Sequence, residues 1–214
     1  MLLSATVAAQ ADVITLYTPP AGDAMWAWNS KYGPYGYTTG TTEMGVGLYI
    51  GAPYGNDYTI SIFEVPIAEL TGKPVTGATL VVDSLGFGTQ YWYGSASIGW
   101  LDTGNEVLTG DVVADNLGPA SQGRPGGFEI YNSDYPDTPG LKYFDVLTYV
   151  QADLAAGRTF STFVMSGSRD TYGAIYTAES GRGPRILATV PEPGTVSMLS
   201  FGMAGLLLRR RRKA

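Results

Sequence analysis

The residues best placed to take part in chemistry lie near the C-terminus. Pro191, Glu192 and Pro193 form a triplet in which two prolines fix φ and remove backbone donors. We therefore expect an extended peptide that cannot continue a helix or a central strand. Its only ionisable group is the Glu192 carboxyl. Such a segment suits the role of a substrate that another protein recognises.

An apolar segment and a basic cluster follow the triplet. From Val196 to Leu208 there is no charged residue, and a transmembrane helix is predicted there. Five consecutive basic residues then hold the end of such a segment on the cytoplasmic side; they are Arg209, Arg210, Arg211, Arg212 and Lys213. The alternative is a buried C-terminal helix, because the uncharged run from Thr195 has 14 residues where a span normally needs ~20.

The order of triplet, apolar segment and basic cluster in residues 190–214 resembles the PEP-CTERM sorting signal of exported bacterial proteins. The resemblance implies transient anchoring in the inner membrane and recognition by an exosortase, a membrane-embedded cysteine protease that cuts near the triplet. Pro191, Glu192 and Pro193 would then be recognition residues of a substrate. The protein would end at the cell surface or outside the cell.

The N-terminus agrees with export. Residues 1–11 read MLLSATVAAQA, and Ala9 and Ala11 occupy the A-x-A positions of a signal-peptidase site before Asp12. No basic residue precedes the apolar stretch, so we interpret residues 1–11 as a partial signal peptide. The alternative is a disordered apolar tail.

Two clusters of aromatic residues offer ring faces to a ligand. The first lies around a Gly-rich segment, 29–42, which is predicted to be a loop; Trp26, Trp28 and Tyr35 are its candidate carbohydrate-binding residues. The alternative is packing, because aromatic side chains on strands usually lie in the core. We expect the core for the second cluster, which comprises Tyr91, Trp92, Tyr93 and Trp100.

Composition excludes several kinds of site. The chain has no Cys and no His, so disulfides, thiolate or imidazole metal sites and Ser–His–Asp or Cys–His catalysis are excluded. No spacing singles out a glycosidase acid pair. Oxygen ligands for calcium are one interpretation of Asp102, Asn105, Asp111 and Asp115, and ordinary turn formation is the other. We expect no catalytic residue, no metal and no cofactor.

The elements that position these residues are predicted to be strands. Residues 12–189 are rich in Gly and Tyr, with short apolar runs between turn signals, which favours an all-β, jelly-roll-like β-sandwich. One short helix is predicted over 145–156, with Asp145 as N-cap and Gly157 after its end. The predicted strands are 13–17, 46–50, 59–65, 79–82, 96–101, 127–131, 159–165, 174–178 and 185–190.

The body also resembles a known group of modules. The segments FEVPIAELTGKPVTGATLVVD (63–83), FDVLTYVQADLAAG (144–157) and GPRILATV (183–190) are similar to jelly-roll modules of the DNRLRE and carbohydrate-binding type. That resemblance implies an adhesive or matrix module, or a sugar binder.

The net charge limits the classes of partner that can be expected. The formal charge is −6. Without the five terminal basic residues, the chain has 8 basic and 19 acidic residues. Nucleic acid is therefore not expected as a partner. We expect a non-enzymatic exported cell-surface or extracellular-matrix protein, associated with exopolysaccharide. The alternative is a carbohydrate-binding protein that uses the loop aromatics, and an extracellular hydrolase is a more distant third.

Overall fold

The computed structural model describes residues 11–29, 33–51, 55–89, 94–105, 123–130, 138–167 and 171–191. These residues form twelve strands, one α-helix and three short 3-10 turns. The strands are β1 (Ala11–Tyr17), β2 (Asp23–Asn29), β3 (Gly33–Thr38), β4 (Glu43–Gly51), β5 (Gly55–Pro66), β6 (Gly77–Thr89), β7 (Gly94–Leu101), β8 (Gly123–Ile130), β9 (Gly140–Asp145), β10 (Phe160–Gly167), β11 (Thr171–Tyr176) and β12 (Arg185–Pro191). The helix, α1, is Leu147–Ala155.

All twelve strands belong to one antiparallel sheet whose main path is β1-β12-β6-β11-β4-β5-β10-β7-β8. Two long strands let this sheet curl. Residues 55–59 of β5 pair with β4, while residues 60–66 pair with β10. In β6, residues 77–81 pair with β12, and β11 takes over from residue 84 onward. Each long strand therefore passes from one part of the curl to another, as corner strands do in packed sheets.

The inward face of the curl holds the main core. Phe63 of β5 and Phe163 of β10 stack with ring centroids 6.2 Å apart. Residues from β6, β11, β12 and β4 complete the core and are almost fully buried; they include Leu80, Val82, Ile186, Ile175 and Met44. Burial of this apolar surface is the main stabilising contribution to such a domain.

The other face of β5 and β10 is buried as well. Ile60, Ile62, Leu101 and Val164 form a second, smaller cluster there. Because successive strand residues point to opposite faces, burial on both sides leaves every residue from 60 to 65 buried, including the polar residues Ser61 and Glu64.

Helix α1 ends as its sequence predicts and begins one residue later than predicted. The Asp145 carboxylate accepts a hydrogen bond from the Leu147 N–H at 3.0 Å, one residue ahead of the geometric cap position. At the other end Gly157 has φ +71°, and its N–H donates to the Leu154 carbonyl at 3.1 Å. The Arg158 N–H donates to the Asp153 carbonyl at 2.9 Å, which completes a Schellman motif.

The prediction of a mostly β protein with one short helix is confirmed. Each of the nine predicted strand segments overlaps an observed strand, while β2, β3 and β9 were not predicted. Segment 29–42 was predicted to be a loop, and this is wrong for its middle, because β3 pairs with β2 there. Among the described residues, no helix has the length and apolar character needed to cross a membrane.

Candidate functional site

The first and last described strands bring the two predicted processing sites together. β1 and β12 pair antiparallel, with Ala11 opposite Pro191 and Asp12 opposite Val190. The predicted signal-peptidase site therefore lies beside the first residue of the sorting triplet. We call this end of the β1–β12 pair the terminal edge.

Pro191 fits the end of β12 for a physical reason. On its other side β12 pairs with β6 only as far as Thr189, opposite Gly77. The missing N–H of Pro191 therefore costs no hydrogen bond to β6, which is the usual condition for proline at a strand end. Glu192 and Pro193 lie outside the described residues, as does the predicted anchor with its boundary residues Val196, Leu208, Arg209, Arg210, Arg211 and Arg212.

The first aromatic cluster lies on strands and not in a loop. Trp26 is on β2, opposite Ile60 of β5 on one side and Tyr37 of β3 on the other. Its side chain is half-buried and packs against the second core cluster. Trp28 follows on β2 and Tyr35 lies on β3; the side chains of both are outside what the structure describes.

Trp100 from the second cluster belongs to the core, as predicted. Its ring packs on Tyr149 of α1 with centroids 5.6 Å apart. The indole N–H donates to Asp153 Oδ2 at 3.0 Å, and the Ser161 hydroxyl donates to the same oxygen at 2.6 Å. Burial raises the pKa of Asp153, while these two donors and Arg158 oppose the rise. Residues 91–93 lie outside the described part of the chain.

Two of the four residues considered as calcium ligands, Asp102 and Asn105, have protein partners. Asp102 forms an ion pair with Arg158, whose Nε also lies 3.6 Å from Asp153 Oδ1. The Asn105 side-chain oxygen accepts the Thr159 N–H at 2.9 Å. Both groups thus connect the end of β7 to the end of α1, in agreement with the turn interpretation. Asp111 and Asp115 fall outside the described residues, and no group of three or more acidic side chains within those residues could hold a metal ion.

A carboxyl pair that the sequence did not reveal lies between β2 and the 3-10 turn after β11. Asp23 is 1% exposed, and its Oδ2 accepts the Ala178 N–H at 2.6 Å. Burial raises the pKa of Asp23 to about 7; the Ala178 N–H lowers it, and the neighbouring Glu179 carboxyl raises it. Glu179 Oε2 is itself buried without a hydrogen-bond partner. The two carboxyl groups therefore disfavour double ionisation.

Arg182 forms a second cluster that the sequence did not reveal. Its Nε donates to Asp83 Oδ2 at 2.7 Å, and its guanidinium carbon lies 3.8 Å from the centroid of the Tyr176 ring. Asp83 is 6% exposed, so Arg182 supplies the positive charge that its buried carboxylate needs. The hydrogen bond that Arg182 donates to Asp83 is the largest of the causes that raise the pKa of Arg182.

A shallow groove of about 150 Å³ lies on the outward face of β4 and β11. Gly45, Gly47, Thr59 and Tyr172 contribute to its lining. Tyr172 stands between Gly47 of β4 and Gly88 of β6 in the strand register, and its side chain is 53% exposed. The absence of a side chain at Gly88 lets the Tyr172 ring lie over that residue.

A β domain whose last strand ends in proline and continues into an apolar, basic-ended tail is the arrangement of an exported protein with a C-terminal sorting signal. Residues 189–212 match the family model of the PEP-CTERM protein-sorting motif. The motif indicates that the protein is exported and processed by an exosortase.

Comparison with other known proteins adds little. None of the curated proteins matches the chain. Among solved structures, a latent aurone synthase (polyphenol oxidase) from a natural source is similar to 62% of this chain, with 15% identity and a TM-score of 0.30. The chain spans 25% of that structure's length, and we infer neither fold nor function from the likeness.

Proposed function

We propose that this protein is a non-enzymatic component of the cell surface or extracellular matrix. A signal peptide exports it, the C-terminal helix holds it transiently in the inner membrane, and an exosortase releases it near Pro191, Glu192 and Pro193. The released β domain associates with exopolysaccharide. The terminal edge carries this proposal, because it sets the N-terminal processing site beside the sorting triplet.

The bounds of β12 support release at the triplet. Ile186, Ala188 and Val190 are buried in the main core, whereas Pro191 is the last residue of the strand. A cut after this point removes no described core residue. The product would be a folded domain, and only the anchor would be separated from it.

The carboxylates of the described residues support a role without catalysis. Asp153, Asp83 and Asp102 are each held by a cation or by side-chain donors. The Asp23 carboxyl accepts a hydrogen bond from the Ala178 N–H beside Glu179. These arrangements stabilise turns and strand ends.

The test uses the host that carries an exosortase. Replacing Pro191 and Glu192 together by alanine should cause uncleaved, membrane-bound precursor to accumulate, while the wild-type protein is shortened at the triplet. Mass spectrometry of the mature C-terminus measures this directly. The matched control is Glu69→Ala with Pro139→Ala, two exposed positions away from the terminal edge, which should be processed normally. Retention of Arg209 to Ala214 by the wild-type protein would overturn the proposal.

A second candidate function is polysaccharide recognition through Trp26, Trp28 and Tyr35. The observation that favours it is the pairing of β2 with β3, which puts the backbones of these aromatic residues on neighbouring strands. Trp28→Ala and Tyr35→Ala should then weaken retention on an insoluble polysaccharide, with Tyr172→Ala on a different strand as control. Equal retention of all three variants would exclude this surface.

A further inference from the structure

The outward face of β9, β6, β12 and β1 carries a row of four side chains in register. Tyr143 of β9 lies opposite Val81 of β6, Val81 lies opposite Arg185 of β12, and Arg185 lies opposite Tyr17 of β1. Directly opposed residues in antiparallel strands share one face of the sheet. We call these four residues the tyrosine–arginine row.

The two ends of the row are exposed to solvent, Arg185 is partly buried, and Val81 is fully buried. Tyr17 and Tyr143 are each 61% exposed, whereas Val81 is 1% exposed. Three strand spacings separate the two tyrosines, so their backbones lie ~14 Å apart. The row is therefore longer than one sugar ring.

Arg185 is the cation of this row without a partner. It forms no ion pair or side-chain hydrogen bond within the part of the chain that the structure describes. Its neighbour Arg182, by contrast, is bound to Asp83. An arginine that no carboxylate of its own protein holds is available for bidentate binding of a carboxylate from a ligand.

Two carboxylates on these strands, Asp83 and Asp145, already have partners within the protein. Asp83 is neutralised by Arg182, and Asp145 accepts a hydrogen bond at the start of α1. Asp145 lies opposite Thr79 of β6, which puts it two strands and two residues away from Arg185. At that distance solvent and salt screen the repulsion between Asp145 and an anionic ligand. The face is thus locally suited to an anion, although the chain as a whole is acidic.

From this row we infer a binding surface for an acidic, uronate-containing polysaccharide. Tyr17 and Tyr143 contact the apolar faces of sugar rings, and Arg185 binds a uronate carboxylate between them. Exposed tyrosine rings suit this contact because one end of the side chain is apolar and the other is polar. The inference rests on the proposed association with exopolysaccharide and names the chemical class of the polymer and the residues that bind it.

The test is affinity electrophoresis of the full-length protein in detergent micelles, through native gels that contain polygalacturonate. Hydroxyethyl cellulose at the same concentration provides the neutral polymer. The wild-type protein should be retarded by polygalacturonate only, and added salt should reduce the retardation. Arg185→Gln should raise the apparent Kd roughly tenfold or more, as expected for loss of a charge-assisted pair.

Further variants distinguish binding by the tyrosine–arginine row from binding by any other charged or exposed residue. Tyr17→Ala and Tyr143→Ala should each weaken binding several-fold, and Arg185→Lys should fall between wild type and Arg185→Gln. Tyr172→Ala and Lys73→Gln are matched controls, because both residues are exposed but lie outside the row. An unchanged unfolding midpoint for each variant shows that the fold is intact.

Three outcomes would overturn the inference. If Arg185→Gln is retarded as strongly as wild type, or if the two polymers retard the protein equally, the row is not an acidic-polysaccharide site, although association with polysaccharide stands. If light scattering shows a dimer that Tyr17→Ala dissociates, the row binds a second copy of the chain. If neither polymer retards the wild-type protein, the inference and the proposed polysaccharide association both fail.

Discussion

Ala11 and Pro191 lie opposite each other at the terminal edge, although 180 positions separate them in the chain. The first is the last residue of the predicted signal peptide, and the second is the first residue of the sorting triplet. The two segments expected to contact the membrane therefore leave the β domain at one place. A precursor held by either segment presents the same end of the sheet to the bilayer.

The first prediction concerns the point at which the tail becomes dispensable. A chain that ends at Pro191 should keep the unfolding midpoint of the full-length protein and lose its membrane association. A chain that ends at Pro184 should fail to fold, because β12 lies between β1 and β6 and contributes Ile186, Ala188 and Val190 to the core. Thermal unfolding followed by circular dichroism compares the two. Equal midpoints for both truncations would show that β12 is not integral to the sheet.

The second prediction concerns pH. Burial raises the pKa of Asp23 from 3.8 to about 7. Between these values the folded protein binds a proton that the unfolded chain has released, so the free energy of unfolding should fall as the pH rises from about 4 to about 7. Asp23→Asn should remove most of this fall and make the protein more stable than wild type at pH 8, because no charge remains to be buried.

Urea unfolding at a series of pH values measures this effect. Asp12→Asn is the matched control, since Asp12 is an exposed carboxyl on β1. It should leave the pH dependence of the wild-type protein in place. An equal slope for Asp23→Asn and wild type would contradict the role assigned to the Asp23–Glu179 pair.

The third prediction concerns Asp153, the buried carboxylate of α1. Trp100→Phe removes the indole N–H that donates to Asp153 Oδ2, and Asp153 is 2% exposed. Loss of a hydrogen bond to a buried charged group should cost about 1.5–3 kcal/mol. Trp26→Phe should cost less, because Trp26 forms no hydrogen bond with another described residue. Chemical denaturation of both variants decides between packing and hydrogen bonding as the source of the loss.

The fourth prediction concerns the contact between Gly88 and Tyr172. A Cβ atom at Gly88 would lie 2.6 Å from Tyr172 Cζ, 2.7 Å from its hydroxyl oxygen and 2.9 Å from Cε2. These three distances put the Cβ almost directly above Cζ, so one face of the ring rests on Gly88. Gly88→Ala should therefore force the half-exposed ring away and destabilise the protein by about 0.5–1.5 kcal/mol, the cost of a distorted rotamer.

A double-mutant cycle checks this contact. In a Tyr172→Ala background, Gly88→Ala should cost much less, because the ring that it displaces is gone. Gly47→Ala is the contrasting variant, since the added Cβ would meet the backbone carbonyl of Thr171 and not a side chain. Its cost should persist in the Tyr172→Ala background. Equal rescue of both glycine variants would argue against a specific ring contact.

Local sequence signals predicted most of the strands and the helix. Apolar residues alternate in 185–190, which predicted a strand. Asp145 and Gly157 flank a helical pattern, which predicted a helix. Tertiary structure overrode neither of these short-range signals. In β3, by contrast, Pro34 and Gly36 are typical of turns, and Gly36 has φ +115°. Pairing with β2 makes this segment a strand, and no local propensity reports such pairing.

The candidate sites also differ in whether their residues are close together in the sequence. The sorting triplet was predictable because all its parts are contiguous in the chain. The hydrogen bond from Ala178 to Asp23 spans 155 positions, and that from Arg182 to Asp83 spans 99. Only the curl of the sheet brings such residues together, so spacing in the sequence carried no signal for them.

The place of β12 between β1 and β6 also sets the order of events during export. A chain that crosses a membrane from its N-terminus delivers β1 and β6 long before residues 185–191. Until those residues emerge, β1 and β6 lack β12, the strand that pairs with both of them, and the sheet stays open. Its closure is a late, long-range step. When it becomes possible, the sorting segment is the next part of the chain in the translocation path. Under the proposed anchoring, the domain would therefore close as the tail reaches the membrane.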